Sequence, residues 1–446
     1  MQDMRLKVLF LRIAAVHCVL LLVSTASLVA QTDSVSTSPP VGFYKDLFMS
    51  SGVNLSSRKS LPAAESLGLS YEYYAGKDAE IQNRLMTGVE HDSNGVLLYP
   101  DGAPRFRMIY VNGGGATNHG KSLELSGRQT LRQFFNAGGS YCGSCAGSFL
   151  SGRNVDSSSN RRLGYLHIYP YNTLNTGLKK EQLDHVMPDD SPLLKYRQFG
   201  TENRVEGVYH NNGNWMSLEK GEHLEHTEVL AIYDTPGKRP DQGAAIWAYK
   251  VKAETGRVVN IGSHPEGVKT GDRLSLTEAC LLYSLDGTGA PNIKGKLVAG
   301  ETRGMLADTK DETPAFAKIG DGQIHRFSFQ VEVCVAKTVI DLSSEVDVQL
   351  NLYLSQDLSG ITTEERAYCV TGAGGNKSLR VRLAPGTWYV AVECANRVPA
   401  VKDDSESYYV YDDPQGLLNG VAYSVGLQQR LRRRYLRVVG PVASVK

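Results

Sequence analysis

A cysteine lies between two glycines in the stretch Gly143-Ser144-Cys145-Ala146-Gly147, which has the form G-x-nucleophile-x-G. This pattern is typical of a sharp strand-to-helix turn with strained backbone angles, where bulky neighbours on either side would clash. The turn exposes the sulfur of Cys145 at a helix N-terminus, where the dipole favours a thiolate. Short Gly-Cys motifs are common, so a structural cysteine is an equally good interpretation of the motif alone.

Two further groups of residues fit chemistry at such a cysteine. Gly113 and Gly114 follow an apolar run, and a glycine-rich turn there can direct backbone N–H groups at a developing oxyanion. The N–H of Ala146 would be the second donor of that oxyanion hole. A plain loop explains the glycines equally well when they are considered in isolation.

His264 and Glu266 are candidates for the base and its orienting group. They flank Pro265 directly after a predicted strand, and residues two apart in an extended segment point the same way. Proline fixes its own φ and discourages helix, which keeps the pair together. A carboxylate beside an imidazole holds its tautomer and leaves the other nitrogen free to deprotonate a thiol.

The pattern of the remaining chain predicts the elements that position these residues. In the first part, apolar runs alternate with helical stretches, which indicates an α/β fold with a mostly parallel sheet. Further on, short alternating strands separated by turns indicate an antiparallel β-sandwich. The predicted strands are 107–111, 139–142, 229–233, 257–261, 325–333, 346–354, 379–383, 387–392 and 422–427, and the predicted helix is 126–137.

Length and composition narrow the class of protein. A chain of 446 residues favours two domains, and a net charge of +1 argues against a nucleic-acid binder. Arg5, Lys7 and Arg12 precede the apolar run 13–29, which ends in small residues, as in a cleaved export signal. The alternative is a membrane anchor, for which the run is short and contains several polar residues. We expect no stable membrane span after cleavage.

The cysteine count also favours a free thiol. Three cysteines fall in each of the two predicted domains, so complete pairing within a domain is impossible. Cys142 and Cys145 have the C-x-x-C spacing of thiol oxidoreductases, but a thioredoxin-like context is missing. We predict that Cys142 is buried, points away from Cys145 and does not pair with it.

The order of the glycine-rich loop, the cysteine elbow and the late His-Pro-Glu resembles the class I glutamine amidotransferase-like superfamily. Within it, the chain is most similar to the family named for the N-terminal domain of biotin-protein ligase. This resemblance implies a flavodoxin-like sheet flanked by helices, with Cys145 as nucleophile, His264 as base and Glu266 as orienting group. The matching stretches are 110–116, 138–147, 208–213, 229–233 and 258–266.

The region 314–428 resembles the bacterial pre-peptidase C-terminal domain, a sandwich appended to secreted hydrolases. The stretch 379–395 carries most of this similarity. The predicted organisation is a signal peptide over 1–30, a flexible leader over 31–40, an amidotransferase-like domain over 41–289, a linker over 290–313, the sandwich over 314–428 and a basic tail over 429–446.

The resulting functional hypothesis is a thiol hydrolase that is exported to the periplasm or the extracellular space. It would cleave an amide or peptide bond with Cys145, His264 and Glu266, and it would need no cofactor or metal. Tyr209, Asn211 and Asn212 are candidate substrate-binding residues, although an ordinary polar loop is equally plausible there. The alternative hypothesis is a catalytically silent protein that retains the fold for binding.

Overall fold

The computed structural model describes residues 40–50, 61–74, 95–156, 160–218, 224–308, 314–359, 361–362, 368–402 and 409–432. The predicted signal peptide lies outside these ranges, as do nearly all of the predicted leader and most of the basic tail. Within the described ranges, no helix combines the length and apolar character needed to cross a bilayer.

The first part of the chain builds a nine-stranded sheet with helices on both faces. Its strands and those of a small two-stranded sheet (β5 with β8) are β1 (Lys45–Ser50), β2 (Tyr71–Tyr74), β3 (Phe106–Val111), β4 (Ser140–Ser144), β5 (Leu174–Asn175), β6 (Glu181–Val186), β7 (Arg204–His210), β8 (Asn214–Trp215), β9 (Thr227–Asp234), β10 (Ala244–Tyr249) and β11 (Val258–Ile261). The helices are α1 (Pro62–Ser66), α2 (Ala116–Ser122), α3 (Glu124–Asn136), α4 (Ala146–Ser151) and α5 (Asp272–Asp286).

Three neighbouring parallel strands bring the candidate residues to one edge of this sheet. The sheet order is β2-β1-β3-β4-β11-β10-β9-β6-β7, and strand β4 pairs in parallel with β3 and with β11. Ser144 at the end of β4 pairs with Ile261 at the end of β11. Since the carboxyl ends of parallel strands lie at the same edge, the loops after β3, β4 and β11 converge there.

The two faces of the sheet bury separate hydrophobic clusters. Residues alternate between faces along a strand, so Ile109 and Tyr141 face one cluster while Met108 and Cys142 face the other. Helices α3 and α4 cover the first face, and α5 covers the second. Helix α3 buries Leu131, Phe134 and Phe135, as its sequence period predicts.

The predicted α/β class is confirmed, and the sheet is mixed. Strands β2, β1, β3, β4 and β11 are parallel, whereas β10, β9, β6 and β7 follow in antiparallel order. The connections from β9 to β10 and from β10 to β11 span 235–243 and 250–257. Such connections are too short for the crossover that a parallel pair requires.

The second part of the chain forms the predicted sandwich of two sheets, in the orders β12-β14-β19-β16-β17 and β13-β22-β15-β18. A separate two-stranded sheet pairs β20 with β21. The strands of this part are β12 (Ile293–Lys296), β13 (Thr302–Met305), β14 (Ile324–Val331), β15 (Val335–Ser343), β16 (Leu350–Ser355), β17 (Tyr368–Val370), β18 (Lys377–Val381), β19 (Gly386–Cys394), β20 (Ala400–Lys402), β21 (Tyr409–Tyr411) and β22 (Tyr423–Leu431).

The stretch 290–313, predicted as a linker, also contributes strands to the sandwich. Strand β12 pairs with β14 in parallel, and β13 pairs with β22 in antiparallel fashion. Both are four-residue edge strands in which a single residue is buried, so they lack the alternating pattern of a strand. Each strand also contains a glycine, so the sequence resembles that of a turn although backbone pairing makes it a strand.

The sandwich packs at the end of β3 that lies opposite the convergent loops. Arg105, directly before β3, forms a buried ion pair at 2.8 Å with Asp321, which lies three residues before the start of β14. Tyr99 donates to the carbonyl of Asp321, and Tyr44 donates to the carbonyl of Val398. The contacts of the sandwich with this end of β3 therefore lie away from the loop after Val111.

Candidate active site

Cys145 lies on a strained turn between β4 and α4. Its φ of 46° and ψ of −103° are unusual for a residue with a side chain. The turn is held by two backbone hydrogen bonds, in which Cys145 donates to Ile261 at 2.8 Å and accepts from Phe149 at 3.0 Å. The predicted elbow is thus present and is tied to the neighbouring strand β11.

The two glycines of the elbow allow close backbone packing. A Cβ on Gly143 would lie 2.5 Å from the carbonyl carbon of Gly147. A Cβ on Gly147 would lie 2.0 Å from the carbonyl oxygen of Val111. Both distances are shorter than any ordinary van der Waals contact, so the spacing of the glycines has the steric origin that the sequence suggested.

His264 and Glu266 lie together in the loop after β11. The Nδ1 atom of His264 is 3.0 Å from Oε1 of Glu266. Ser144 donates to the same carboxylate oxygen at 2.8 Å, and its hydroxyl is 3.3 Å from that of Tyr110. The backbone N–H of His264 donates to the carbonyl of Tyr209 at 2.8 Å. The imidazole is therefore fixed through both its carboxylate partner and its backbone.

The charge states follow from these contacts. Burial opposes a charge on His264, but its hydrogen bonds with Cys145 and Glu266 outweigh burial and raise its pKa to about 10. Burial likewise opposes a charge on Glu266, but the bonds from His264 and Ser144 hold the pKa of this carboxyl below its usual range. At neutral pH an imidazolium thus lies between the carboxylate of Glu266 and the sulfur of Cys145.

The glycine-rich loop after β3 touches the imidazole. A Cβ on Gly113 would lie 2.1 Å from Cε1 of His264, so only glycine fits beside the ring. Gly114 adopts a φ of 143°, which residues with side chains rarely adopt. Ala146 is the first residue of α4, and its N–H has no acceptor within the helix. The three predicted oxyanion-hole residues thus belong to segments that border Cys145.

His119 supports this loop, although no motif in the sequence marks it. The side chain is buried in α2 with 2% exposure. Burial lowers its pKa to about 4, and a hydrogen bond to the backbone of Gly113 offsets part of that effect. A neutral imidazole that donates to the carbonyl of Gly113 fixes the orientation of the peptide group between Gly113 and Gly114. The N–H of that peptide belongs to Gly114.

A cavity of about 550 Å³ opens over Cys145. Tyr209 and Asn211 line it, and the carbonyl of Asn211 lies 3.8 Å from Sγ of Cys145. Asn212 is exposed and does not line it, and its N–H donates to the carbonyl of Leu178. The lining residues are Met49, Leu61, Tyr110, Asn112, Gly113, Gly114, Cys145, Tyr209, Asn211, His264, Glu266, Gly267, Val268 and Arg273.

A buried polar network underlies His264. The hydroxyl of Ser263 lies 2.9 Å from Nδ1 of His210, 3.1 Å from Nε2 of His185 and 3.2 Å from the hydroxyl of Tyr233. Gly213 donates its N–H to Nε2 of His210, so Nδ1 carries the proton and donates to Ser263. Burial lowers the pKa of His210 to about 4 and that of His185 to about 3, so both histidines are neutral. The network therefore holds the residue before His264 without adding charge.

The other thiols differ from Cys145. Cys142 is fully buried on the face covered by α5, where burial raises its pKa to about 12. The six described cysteines are all free thiols. The prediction that Cys142 is buried is confirmed.

Comparison with known proteins yields similarities to solved structures. No family model matches the sequence, and no curated protein matches it. A glutamine amidotransferase is 13% identical, with a TM-score of 0.35 over 53% of this chain and 98% of that chain. A ThuA-like protein from Bacteroides uniformis is 11% identical, with a TM-score of 0.34 over 58% and 98%. The pre-peptidase C-terminal domain of the Bacillus anthracis collagenase is 14% identical, with a TM-score of 0.20 over 31% and 100%.

These similarities are too distant to assign an activity. The closer resemblance to the biotin-protein ligase family stays a prediction from the sequence. The chain is thus an α/β protein with an appended β-sandwich, similar to a glutamine amidotransferase and to a pre-peptidase C-terminal domain.

Proposed function

We propose that this protein is an exported cysteine-dependent hydrolase of amide or peptide bonds. The observation that supports this most strongly is the strained turn that directs Cys145 at the His264–Glu266 pair in one cavity. A nucleophile, a base and an orienting carboxylate in contact are the parts that acyl transfer through a thiol requires. Export rests on the N-terminal sequence pattern alone.

The first half-reaction forms a thioester. The thiolate of Cys145 attacks the carbonyl carbon of the amide, and the resulting oxyanion accepts hydrogen bonds from backbone N–H groups of the glycine loop and Ala146. His264 then gives its proton to the nitrogen of the leaving amine, and the carbon–nitrogen bond breaks. Glu266 remains ionised and stabilises the imidazolium throughout.

The second half-reaction regenerates the enzyme. Neutral His264 takes a proton from a water molecule, whose oxygen attacks the thioester carbonyl. The carbon–sulfur bond breaks, the carboxylic acid leaves, and the sulfur returns to its thiolate form beside the imidazolium. Ser144 and the backbone of Tyr209 hold the pair in place during both steps.

Trapping the thioester tests this function. We expect an activated ester or amide of a short acyl group to add one acyl mass to the wild-type chain, and hydroxylamine to remove it. Cys145→Ala should form no adduct, whereas the matched variant Cys142→Ala, three residues away on β4, should form it normally. Absence of any adduct on the wild-type chain would favour the alternative, a silent binding protein.

A further inference from the structure

Arg273 is the cationic side chain of the cavity apart from His264. It is the second residue of α5, which begins at Asp272. Its Nη1 atom donates to the carbonyl of Gly207 at 3.2 Å. The guanidinium carries five N–H donors, and this is its one bond among the described residues, so most of its donors are available to a ligand there.

Among the described residues, no carboxylate forms an ion pair with Arg273. Some arginines of the α/β part form ion pairs, such as Arg107 with Asp46 at 3.0 Å and Arg197 with Glu278 at 2.7 Å. Others, such as Arg132 and Arg257, donate to backbone carbonyls as Arg273 does, but they do not line the cavity. Glu266, the carboxylate that lines the cavity, bonds His264 and Ser144 through its Oε1 atom and forms its ion pair with His264.

Arg273 is tethered to the strand that also holds the catalytic loop. Gly207 lies on β7 with a φ of 62°, and its N–H donates to the carboxylate of Asp184 at 2.9 Å. Two residues later, the carbonyl of Tyr209 accepts the N–H of His264. The guanidinium and the imidazole are thus held by the same strand, which fixes their relative position.

We infer that Arg273 binds a carboxylate of the substrate, so that the bond cleaved belongs to an amide carrying an acidic group. A guanidinium matches a carboxylate through two parallel hydrogen bonds, which are stronger when both partners are charged. Met49, Leu61 and Val268 form an apolar part of the cavity wall. This part can contact the hydrocarbon of the substrate that joins its carboxylate to its amide. This inference rests on the function proposed for Cys145 and narrows it to acidic amides.

A matched pair of alkylating probes tests the inference at Cys145. N-iodoacetylglycine and N-iodoacetylglycinamide have the same length and differ in the charge of one end. We expect the wild-type chain to react faster with the acid than with the amide, and Arg273→Gln to reduce this preference at least about fivefold. Arg273→Lys should retain part of it, because the charge remains while the planar fork is lost.

Lys269→Gln is the matched control. Lys269 is exposed in the loop between β11 and α5 and does not line the cavity. Its replacement therefore removes one positive charge near the cavity without changing the cavity wall. The preference for the acid should survive in this variant. An unchanged preference in Arg273→Gln, or an equal loss in Lys269→Gln, would overturn the inference.

A second readout separates the inference from the proposed function. In a Cys145→Ala chain, N-acetylglycine should bind more tightly than N-acetylglycinamide, as measured by ligand-observed NMR, and Arg273→Gln should remove the difference. If neither iodoacetyl probe reacts with Cys145 but the acid still binds selectively, the proposed hydrolase function is contradicted and the inference about Arg273 is retained. Equal binding of acid and amide would contradict the inference alone.

Discussion

Glu266→Gln is expected to lower the rate of amide hydrolysis by about 10²–10⁴-fold while leaving the fold intact. Glutamine has the same shape and can still accept from Ser144, but it lacks the charge that stabilises the imidazolium of His264. The pKa of His264, now raised to about 10, should fall in this variant. Initial rates on an acyl-enzyme-forming substrate, together with the NMR titration of His264, measure both effects.

Glu278→Gln provides the control for that experiment. Glu278 is also a mostly buried carboxylate, and it bonds Arg197 and Ser66 rather than a group of the site. Its replacement should affect stability without changing the ionisation of His264. Unchanged turnover in Glu266→Gln would show that this carboxylate has only a structural role.

Gly113→Ala is expected to reduce hydrolysis by about 10²-fold through a single methyl group. The added Cβ would lie 2.1 Å from Cε1 of His264, a contact that forces either the ring or the loop to move. The ring is held by Glu266 and by the backbone of Tyr209, so displacement disturbs the base or the oxyanion loop. Misplacement of a catalytic group by about 1 Å can cost this much.

Gly164→Ala is the matched substitution for Gly113→Ala. A Cβ on Gly164 meets no atom within 4 Å, so this variant should retain full turnover and the same melting temperature. Turnover and thermal unfolding of the two variants therefore separate a local steric effect from a general cost of replacing glycine. Wild-type activity in Gly113→Ala would contradict the placement of His264 against this loop.

The parts of the site that depend on local geometry could be predicted from the sequence. The elbow at Cys145 follows from the steric needs of its flanking glycines. The pairing of His264 with Glu266 follows from their spacing around Pro265 in an extended segment. In both cases the interacting residues are at most a few positions apart, so a short stretch of sequence is enough to predict their arrangement.

The parts that depend on tertiary contacts could not be predicted in this way. Ser144 and Glu266 are 122 residues apart, and no local pattern joins them. The supporting roles of His119 and Ser263 arise because buried polar atoms require partners, which the fold alone provides. Asn212 was predicted to bind substrate, but its left-handed backbone after β7 leaves it outside the cavity lining.

Competitive alkylation of the native chain tests most directly whether Cys145 is an activated nucleophile. Cys369 is exposed and serves as an internal reference within the same molecule. Alkylation of a thiol that is mostly protonated at neutral pH slows about tenfold for each pH unit below neutrality, because the thiolate fraction falls. Cys145 faces an imidazolium, so its reaction should depend much less on pH in this range.

The measurement is the rate of iodoacetamide labelling at each cysteine, mapped by mass spectrometry at pH 6 and pH 8. We predict that Cys145 is labelled faster than Cys369 at pH 6 and that this advantage disappears in Glu266→Gln. We also predict that Cys142 and Cys280, which are fully buried and do not line the cavity that opens over Cys145, remain unlabelled under these conditions. Labelling of Cys145 that is slower than that of Cys369 at pH 6, and unaffected by Glu266→Gln, would contradict the account.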